Sequence, residues 1–493
     1  MRQTDRSLGR RAFIGCGAAF AAGFGKVVLG ADIRPVGLTN LRVGILADIH
    51  LTASAPHADV RFEKALRYFD SRKADAVLLC GDIADYGLIS ELVRAGEIWD
   101  KVFPDNRRSD GAHIEKLFHF GDHDNGGYAH SRHPDYARRK AEIDRDAIFL
   151  ADRKAVWRKA FHEDWSPILV KRVKGYTFVL GNHQCLDPAV DRYGDVVPGV
   201  DAALAALKPD PSKPFFYSQH RILRGTAGGS DVWGQEAGVV TKILANYPNC
   251  FAFCGHGHVQ ATDERSIWQG AFTAVEVPSL RYLLQHPGRE NGYCITDFKK
   301  NAQHPPQMKM TSTWGDGHGG LFMSVSDDAI VLERLDMDTH EKVGPDWLVP
   351  LARSAEKPYD HARRAKRDPA PVWPAGAQAS VTFLKNGANR VGTKTDQYVV
   401  TFPSAPSVGS APRAYDYAVK AIGTKGGVER TLCEKCVYSP YIYRSERRDR
   451  RLAMCVFATS EVGGSCDALR FEVCPRNAFG RAGKPLVAVV AKS

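Results

Sequence analysis

From about residue 41 the chain alternates short apolar runs with stretches whose apolar positions recur at helical spacing. LRVGILAD (41–48) reads as a buried strand, and VRFEKALRYFDSR (60–72) places apolar residues at 62, 65, 66 and 69, one face of a helix. DAVLLC (75–80) predicts a second strand, LISELVRAGEIWDKVF (88–103) a second helix and IEKLFHF (114–120) a third strand. This strand-helix-strand order predicts an α/β arrangement. Further strands are expected at 175–180, 214–219, 250–254, 271–277, 292–298, 320–326 and 329–335. The later ones follow one another without helices, so the sheet system is mixed.

The pattern changes after residue 350. Residues 351–377 combine charge with Pro358, Pro369, Pro371 and Pro374, which predicts a linker. Beyond it, Tyr415-x-Tyr417-x-Val419-x-Ala421 and Leu469-x-Phe471-x-Val473 alternate with the strand period and no helical period appears. Residues 378–493 therefore read as an all-β sandwich. The ending FEVCPRNAFGRAGKPL resembles the last strands of a fibronectin type III domain.

Composition adds limits. At 493 residues, 44% hydrophobic and 25% charged, the chain reads as globular and as two domains. Residues 1–31 begin with a basic stretch containing Arg10-Arg11, followed by Ala12-Phe13-Ile14 and a short, Gly-rich apolar run. That is an export signal resembling the twin-arginine type, too short for a spanning helix of about 20 apolar residues. The expected location is the bacterial periplasm or beyond, with no transmembrane anchor after signal removal. Residues 1–31 carry five Lys or Arg and one acid, so +7 of the formal +11 remains on the mature chain. This favours anionic partners through the long-range field. The Arg444–Arg451 run is interrupted by Glu446 and Asp449 and reads as a solvated loop, and no nucleic-acid module is visible. Ten of the eleven cysteines lie beyond the signal. Cys80 and Cys254 end apolar strands as buried hydrophobes, whereas among Cys433, Cys436, Cys455, Cys466 and Cys474 at least one disulfide is expected.

The chemistry is concentrated at strand ends. Asp48-Ile49-His50, Gly81-Asp82-Ile83-Ala84-Asp85, Gly121-Asp122-His123-Asp124, Gln219-His220 and Gly255-His256-Gly257-His258 each follow a predicted strand. In open α/β folds the loops that build sites converge at the carboxyl ends of strands. Each cluster alone has an ordinary explanation, since Gly-Asp makes turns and a single His is usually structural. Five in succession do not. Carboxylates and imidazoles at one edge suit Zn, Mn or Fe.

Together these motifs resemble the calcineurin-like metallophosphoesterase family over about residues 41–335. The resemblance implies an α/β fold, a four-layer α/β/β/α sandwich over 41–350, with two divalent or trivalent transition metals at one edge. It implies that Asp48, His50, Asp82 and His258 hold the first metal. Asp82 bridges to the second, held also by Asp122, His220 and His256. It further implies attack on a phosphate ester by metal-activated hydroxide. His123 would contact the phosphate and act as general acid, with Asp124 holding its imidazole in the useful tautomer. Asp85 is a candidate outer partner.

One position departs from the family, which usually has Asn where this chain has Asp122. Two divalent ions, three carboxylates and a hydroxide make a neutral core, whereas Asn would leave it at +1. Tighter retention of the second metal and a higher pH optimum are expected. Gly181-Asn182-His183-Gln184 keeps the Asn but lacks the following acid and comes a segment late. The segment 125–174 reads either as one wall of the site or as a surface helix pair. The expected function is hydrolysis of phosphate mono- or diesters. The alternative is a degenerate domain carrying a binding or adhesion sandwich with a cell-surface partner.

Overall fold

The computed structural model describes residues 38–184, 197–228, 232, 234–283, 289–290, 317–352, 356–388, 394–441, 452–463 and 466–490. The export segment, the strand expected at 292–298 and the Arg-rich run at 444–451 lie outside these residues.

The apolar runs that open the chain form β1 (Leu41–Leu46), β2 (Ala76–Cys80) and β3 (Glu115–His119), paired in parallel. Only Arg42 and Glu115 of these strands are not fully buried, as strands covered on both faces require. A second sheet contains β4 (Ile168–Val173), β5 (Tyr176–Gly181), β6 (Phe215–Gln219), β7 (Cys250–Cys254), β8 (Ile267–Gln269) and β9 (Thr273–Glu276), in the order β4-β5-β6-β7-β9-β8. Its four central strands are parallel. The chain then returns to the first sheet, where β10 (Gly319–Val325) pairs antiparallel with β1 and β11 (Ala329–Asp336) with β10. β12 (Glu341–Lys342) and β13 (Trp347–Pro350) both pair with β11. Both sheets are thus mixed.

Three sets of buried side chains hold these sheets. Val43, Ile45, Leu78 and Leu117 of the first sheet pack with Phe178, Leu180, Phe216 and Phe253 of the second. On its other side the first sheet packs Val77, Leu79 and Phe118 against α1 (His57–Ser71) and α2 (Ile89–Val102) through Phe62, Phe69, Leu92 and Trp99. After α3 (Asp122–Asn125) and α4 (Tyr136–Asp146), α5 (Arg153–Phe161) adds Trp157 and Phe161 to that set. α6 (Val200–Leu207) and α7 (Val239–Leu244) cover Val179, Tyr217 and Ala252 of the second sheet. The predicted strands and the two predicted helices that fall within described residues form within a few residues of their expected bounds. β4, β8, β13, α6 and α7 were not anticipated.

The segment expected as a linker is partly helical. α8 (His361–Arg367) carries buried Arg364, which donates to the Glu264 carboxylate and to its backbone carbonyl. Beyond it, β14 (Ser380–Ala388), β15 (Lys394–Pro403) and β18 (Leu452–Ala458) form one sheet. β16 (Asp416–Lys425), β17 (Val428–Tyr438), β19 (Ala468–Arg476) and β20 (Leu486–Val489) form another. Val400, Phe402 and Phe457 of one sheet share a core with Tyr417, Val419, Phe471 and Val473 of the other. The disulfide expected here is absent among the described residues, where all eight cysteines are free. Register explains one pair: Cys436 and Cys474 both face Ala418, from opposite neighbouring strands. Two strand spacings put them about 9.5 Å apart, beyond disulfide reach of about 7 Å between Cα atoms.

Candidate metal centre

The carboxyl ends of β1, β2 and β3 in one sheet and of β6 and β7 in the other deliver the five motif clusters to a common edge. Asp48, His50, Asp82, Asp122, His220, His256 and His258 are all buried there. The backbone is unusual. Asp48, His50, Asp82, His256 and His258 adopt φ values of 43° to 71°, in the left-handed region that non-glycine residues seldom occupy. Five of the thirteen such residues among those described are candidate ligands. Strain of this kind persists where surroundings hold it in place, and it clusters at functional sites.

The side chains converge in two groups, Asp48/His50/His258 and Asp82/Asp122/His220/His256, with donor atoms within 4.8 Å in each. Asp48 Oδ1 lies 3.2 Å from His258 Nε2, and His258 Nε2 lies 3.2 Å from His50 Nε2. In the second group Asp122 Oδ1 lies 3.0 Å from His220 Nε2 and 2.9 Å from His256 Nδ1. Asp82 Oδ2 joins the groups, 3.1 Å from His220 Nε2 and 3.6 Å from His50 Nε2.

The outer ring nitrogens show which way the lone pairs face. His220 Nδ1 donates to the Cys80 carbonyl at 2.7 Å and His258 Nδ1 to the Tyr282 carbonyl at 2.9 Å. His50 Nδ1 lies 3.3 Å from Asp85 Oδ1. A neutral imidazole anchored in this way presents a lone pair, not a proton, to the centre. Lone pairs and carboxylate oxygens thus face one another at about 3 Å, which only a cation or added protons stabilise. Donors each about 2.0–2.2 Å from a shared ion stand about 3 Å apart, so the residues fit two metal ions. Electrostatics agree. Burial alone would raise the Asp48, Asp82 and Asp122 carboxyls, but the imidazoles facing them outweigh it and hold all three below the ordinary range. Burial would lower His220, yet Asp82, Asp122 and Asp48 raise it well above an ordinary histidine.

Residues 41–260, which contain every one of these side chains, match the family described as calcineurin-like phosphoesterase. The chain carries a calcineurin-like phosphoesterase domain. The chain is similar in structure to a dimetal phosphatase from Danio rerio, at 9% identity over 64% of this chain and 100% of that one, TM-score 0.37. It is also similar to purple acid phosphatase PPD1 from yellow lupin (Lupinus luteus) seeds, at 13% identity over 63% of this chain and 53% of that one, TM-score 0.36. No curated protein matches the sequence.

Within the calcineurin-like domain, His123 Nδ1 donates to the Asp85 carbonyl at 2.6 Å, and its ring meets His50 edge-on at 4.6 Å. Burial would lower its pKa, but Asp82, Asp122 and Asp85 outweigh it and raise it. The role expected for Asp124 is corrected. Its carboxylate accepts from the backbone N–H groups of Ile83, Ala84 and Gly121 and so ties the β2 and β3 loops together, while the Asp85 carbonyl sets the His123 tautomer. Asn182 is also structural. Its Oδ1 accepts from Phe120 N–H and its Nδ2 donates to the Ser166 carbonyl, both at 2.8 Å. Asp122, not Asn182, shares the centre with His220 and His256.

Sequence reasoning missed three contributors. Tyr128 donates its hydroxyl to Asp122 Oδ2 at 2.5 Å. Tyr282 packs its ring 4.3 Å from that of His258, and Arg281 donates to His57 at 2.9 Å. Residues 281 and 282 follow β9 as the motif clusters follow their strands, and that position was the available signal. In the segment 125–174 Tyr128 faces the centre, whereas α5 packs against the first sheet.

Proposed function

We propose that the chain is an exported hydrolase of phosphate mono- or diesters that works with two transition-metal ions. Asp48, His50, Asp82 and His258 would hold the first ion, and Asp82, Asp122, His220 and His256 the second. The observation that carries this is the inward-facing set of ring lone pairs and carboxylates in two groups joined by Asp82. Two ions held there would neutralise phosphoryl oxygens and acidify a water for in-line attack. His123, tethered through Nδ1, keeps Nε2 for the ester oxygen and protonates the departing alkoxide there. Asp85 positions both rings, His50 through its carboxylate and His123 through its carbonyl.

On this reading residues 41–350 are a four-layer α/β/β/α sandwich, supported by the inter-sheet core and the helices packed on each outer face. Residues 378–493 are a fibronectin type III-like sandwich, supported by two sheets around one core. The Arg10-Arg11 leader supports export to a bacterial periplasm or beyond. No helix among the described residues is long and apolar enough to cross a membrane. The degenerate-domain alternative rests on Asp122 alone, and that carboxylate points Oδ1 at the same focus as the His220 and His256 nitrogens.

The test is elemental analysis of the purified chain together with turnover of p-nitrophenyl phosphate and its bis-ester with Mn, Zn or Fe. Two ions per chain and metal-dependent turnover of at least one ester are expected. Absence of metal-dependent turnover on both would overturn the proposal.

A further inference from the structure

Asp122 creates a requirement that Asn would not. An Asn in this place offers its Oδ1 to an ion and turns an NH2 group outward, which needs an acceptor. The Asp turns a second oxygen outward, which needs a donor. In this chain Oδ1 faces His220 and His256, and the outward Oδ2 receives the Tyr128 hydroxyl at 2.5 Å.

Tyr128 reaches that oxygen because the chain doubles back. The single turn of α3 ends at Asn125, and Gly126-Gly127 follow with Gly127 at φ +77°. A Cβ on Gly126 would lie 2.3 Å from the Asp122 carbonyl oxygen and 2.9 Å from the Tyr128 ring, so the reversal is tight. The ring is held from two further sides. The Arg132 guanidinium lies over it at 4.3 Å, and His123 meets it at 5.7 Å, nearly perpendicular. A phenol fixed in this way donates along one direction at little entropic cost.

We propose that Tyr128 is a positioning residue paired with Asp122: its hydroxyl saturates Oδ2 and leaves Oδ1 as the single oxygen offered to the second ion. Without that donor the carboxylate is free to rotate, and a buried oxygen beside three other anionic or lone-pair donors is left unsatisfied. The pair is the means by which this chain accepts a carboxylate where its family resemblance implies an amide. It rests on the two-ion reading above.

The experiment is Mn2+ and Zn2+ binding by calorimetry and chelator competition on the full chain as wild type, Tyr128→Phe, Asp122→Asn and the double variant. Tyr128→Phe is expected to weaken the second ion about 10–100-fold, the usual consequence of removing a ligand's hydrogen-bond partner, and to leave the affinity for the first ion unchanged, since that site keeps all its partners. In the Asp122→Asn background the same substitution is expected to cost clearly less, because there the Tyr128 hydroxyl only accepts from a neutral amide NH2 instead of donating to a buried carboxylate. Equal weakening in both backgrounds would reduce Tyr128 to packing and overturn the pair, as would unchanged affinity in Tyr128→Phe. A wild-type chain binding fewer than two ions would overturn the two-ion reading and the pair together, whereas two ions with no coupling would overturn the pair alone.

Discussion

Gly257 separates His256 from His258, and it offers a sharp test of how the centre is held. Its φ lies outside the left-handed region, so alanine suits the backbone and only space is at issue. A Cβ there would stand 1.8 Å from Glu276 Oε1 and 2.8 Å from Ile222 Cδ1, where carbon normally keeps about 3.5 Å. The obstacle is poorly placed to yield. Glu276 is fully buried on β9 and its backbone pairs with β7. Gly257→Ala therefore has to push the 255–258 loop outward by an ångström or more, at an overpacking cost of about 1–3 kcal/mol. Both histidines travel with that loop, and metal sites tolerate only about 0.2 Å in ligand distance. The expected result is fewer than two ions per chain by elemental analysis, a lowered melting temperature and loss of phosphoesterase turnover. Adding Glu276→Ala should restore space and most of the metal, whereas Glu276→Gln, of equal size, should not. A Gly257→Ala chain that keeps two ions and wild-type turnover would refute the steric account.

Two further outcomes are expected. His123→Ala should leave metal content unchanged and slow alkyl phosphate esters by about 10²–10⁴-fold, with a much smaller effect on p-nitrophenyl esters, whose leaving group needs no proton; equal losses on both would remove the acid role. Partial burial would raise the Glu264 carboxyl, but Arg334 and Arg364 outweigh that and bring it to about 2 from an ordinary 4.5. A depressed carboxyl stabilises the fold above pH 4.5 and ceases to as pH falls toward 2. The difference is worth at most about 3 kcal/mol. With 27% of the Glu264 side chain exposed, solvent screening brings it nearer about 1–2 kcal/mol. Glu264→Gln should therefore lower the urea midpoint at pH 7 and lose that effect near pH 2, and a pH-independent difference would count against the ion pairs.

The sequence was most readable where burial leaves a strong pattern. AVLLC and CFAFC are buried at every position, so a continuous apolar run was enough to predict β2 and β7. ILVKRV was not predicted as a strand, and the structure shows why. β4 is an edge strand with one fully buried residue, and its order comes from antiparallel pairing with β5, a tertiary contact that local pattern does not encode. The same division runs through the centre. The seven candidate ligands were visible because each follows a strand, and β-sheet topology alone brings strand ends together. Apart from Asp85, the partners of those ligands and of His123 were not, because they are largely backbone carbonyls. His220, His258 and His123 are oriented by Cys80, Tyr282 and Asp85 through main-chain oxygens, which every residue possesses and no motif marks. Asp124 was misassigned for the converse reason. An acid next to a histidine suggests a side-chain pair, but in a one-turn helix adjacent side chains diverge, and this carboxylate turns to the N–H groups of neighbouring loops instead. Tyr128 was the recoverable omission. Six residues beyond Asp122 would lie far away in an extended chain, but Gly126-Gly127 predicts a reversal, and a reversal returns the next side chain to the turn it left. A carboxylate in place of an expected amide therefore calls for a hydroxyl donor, and the place to look is just past the nearest glycine turn.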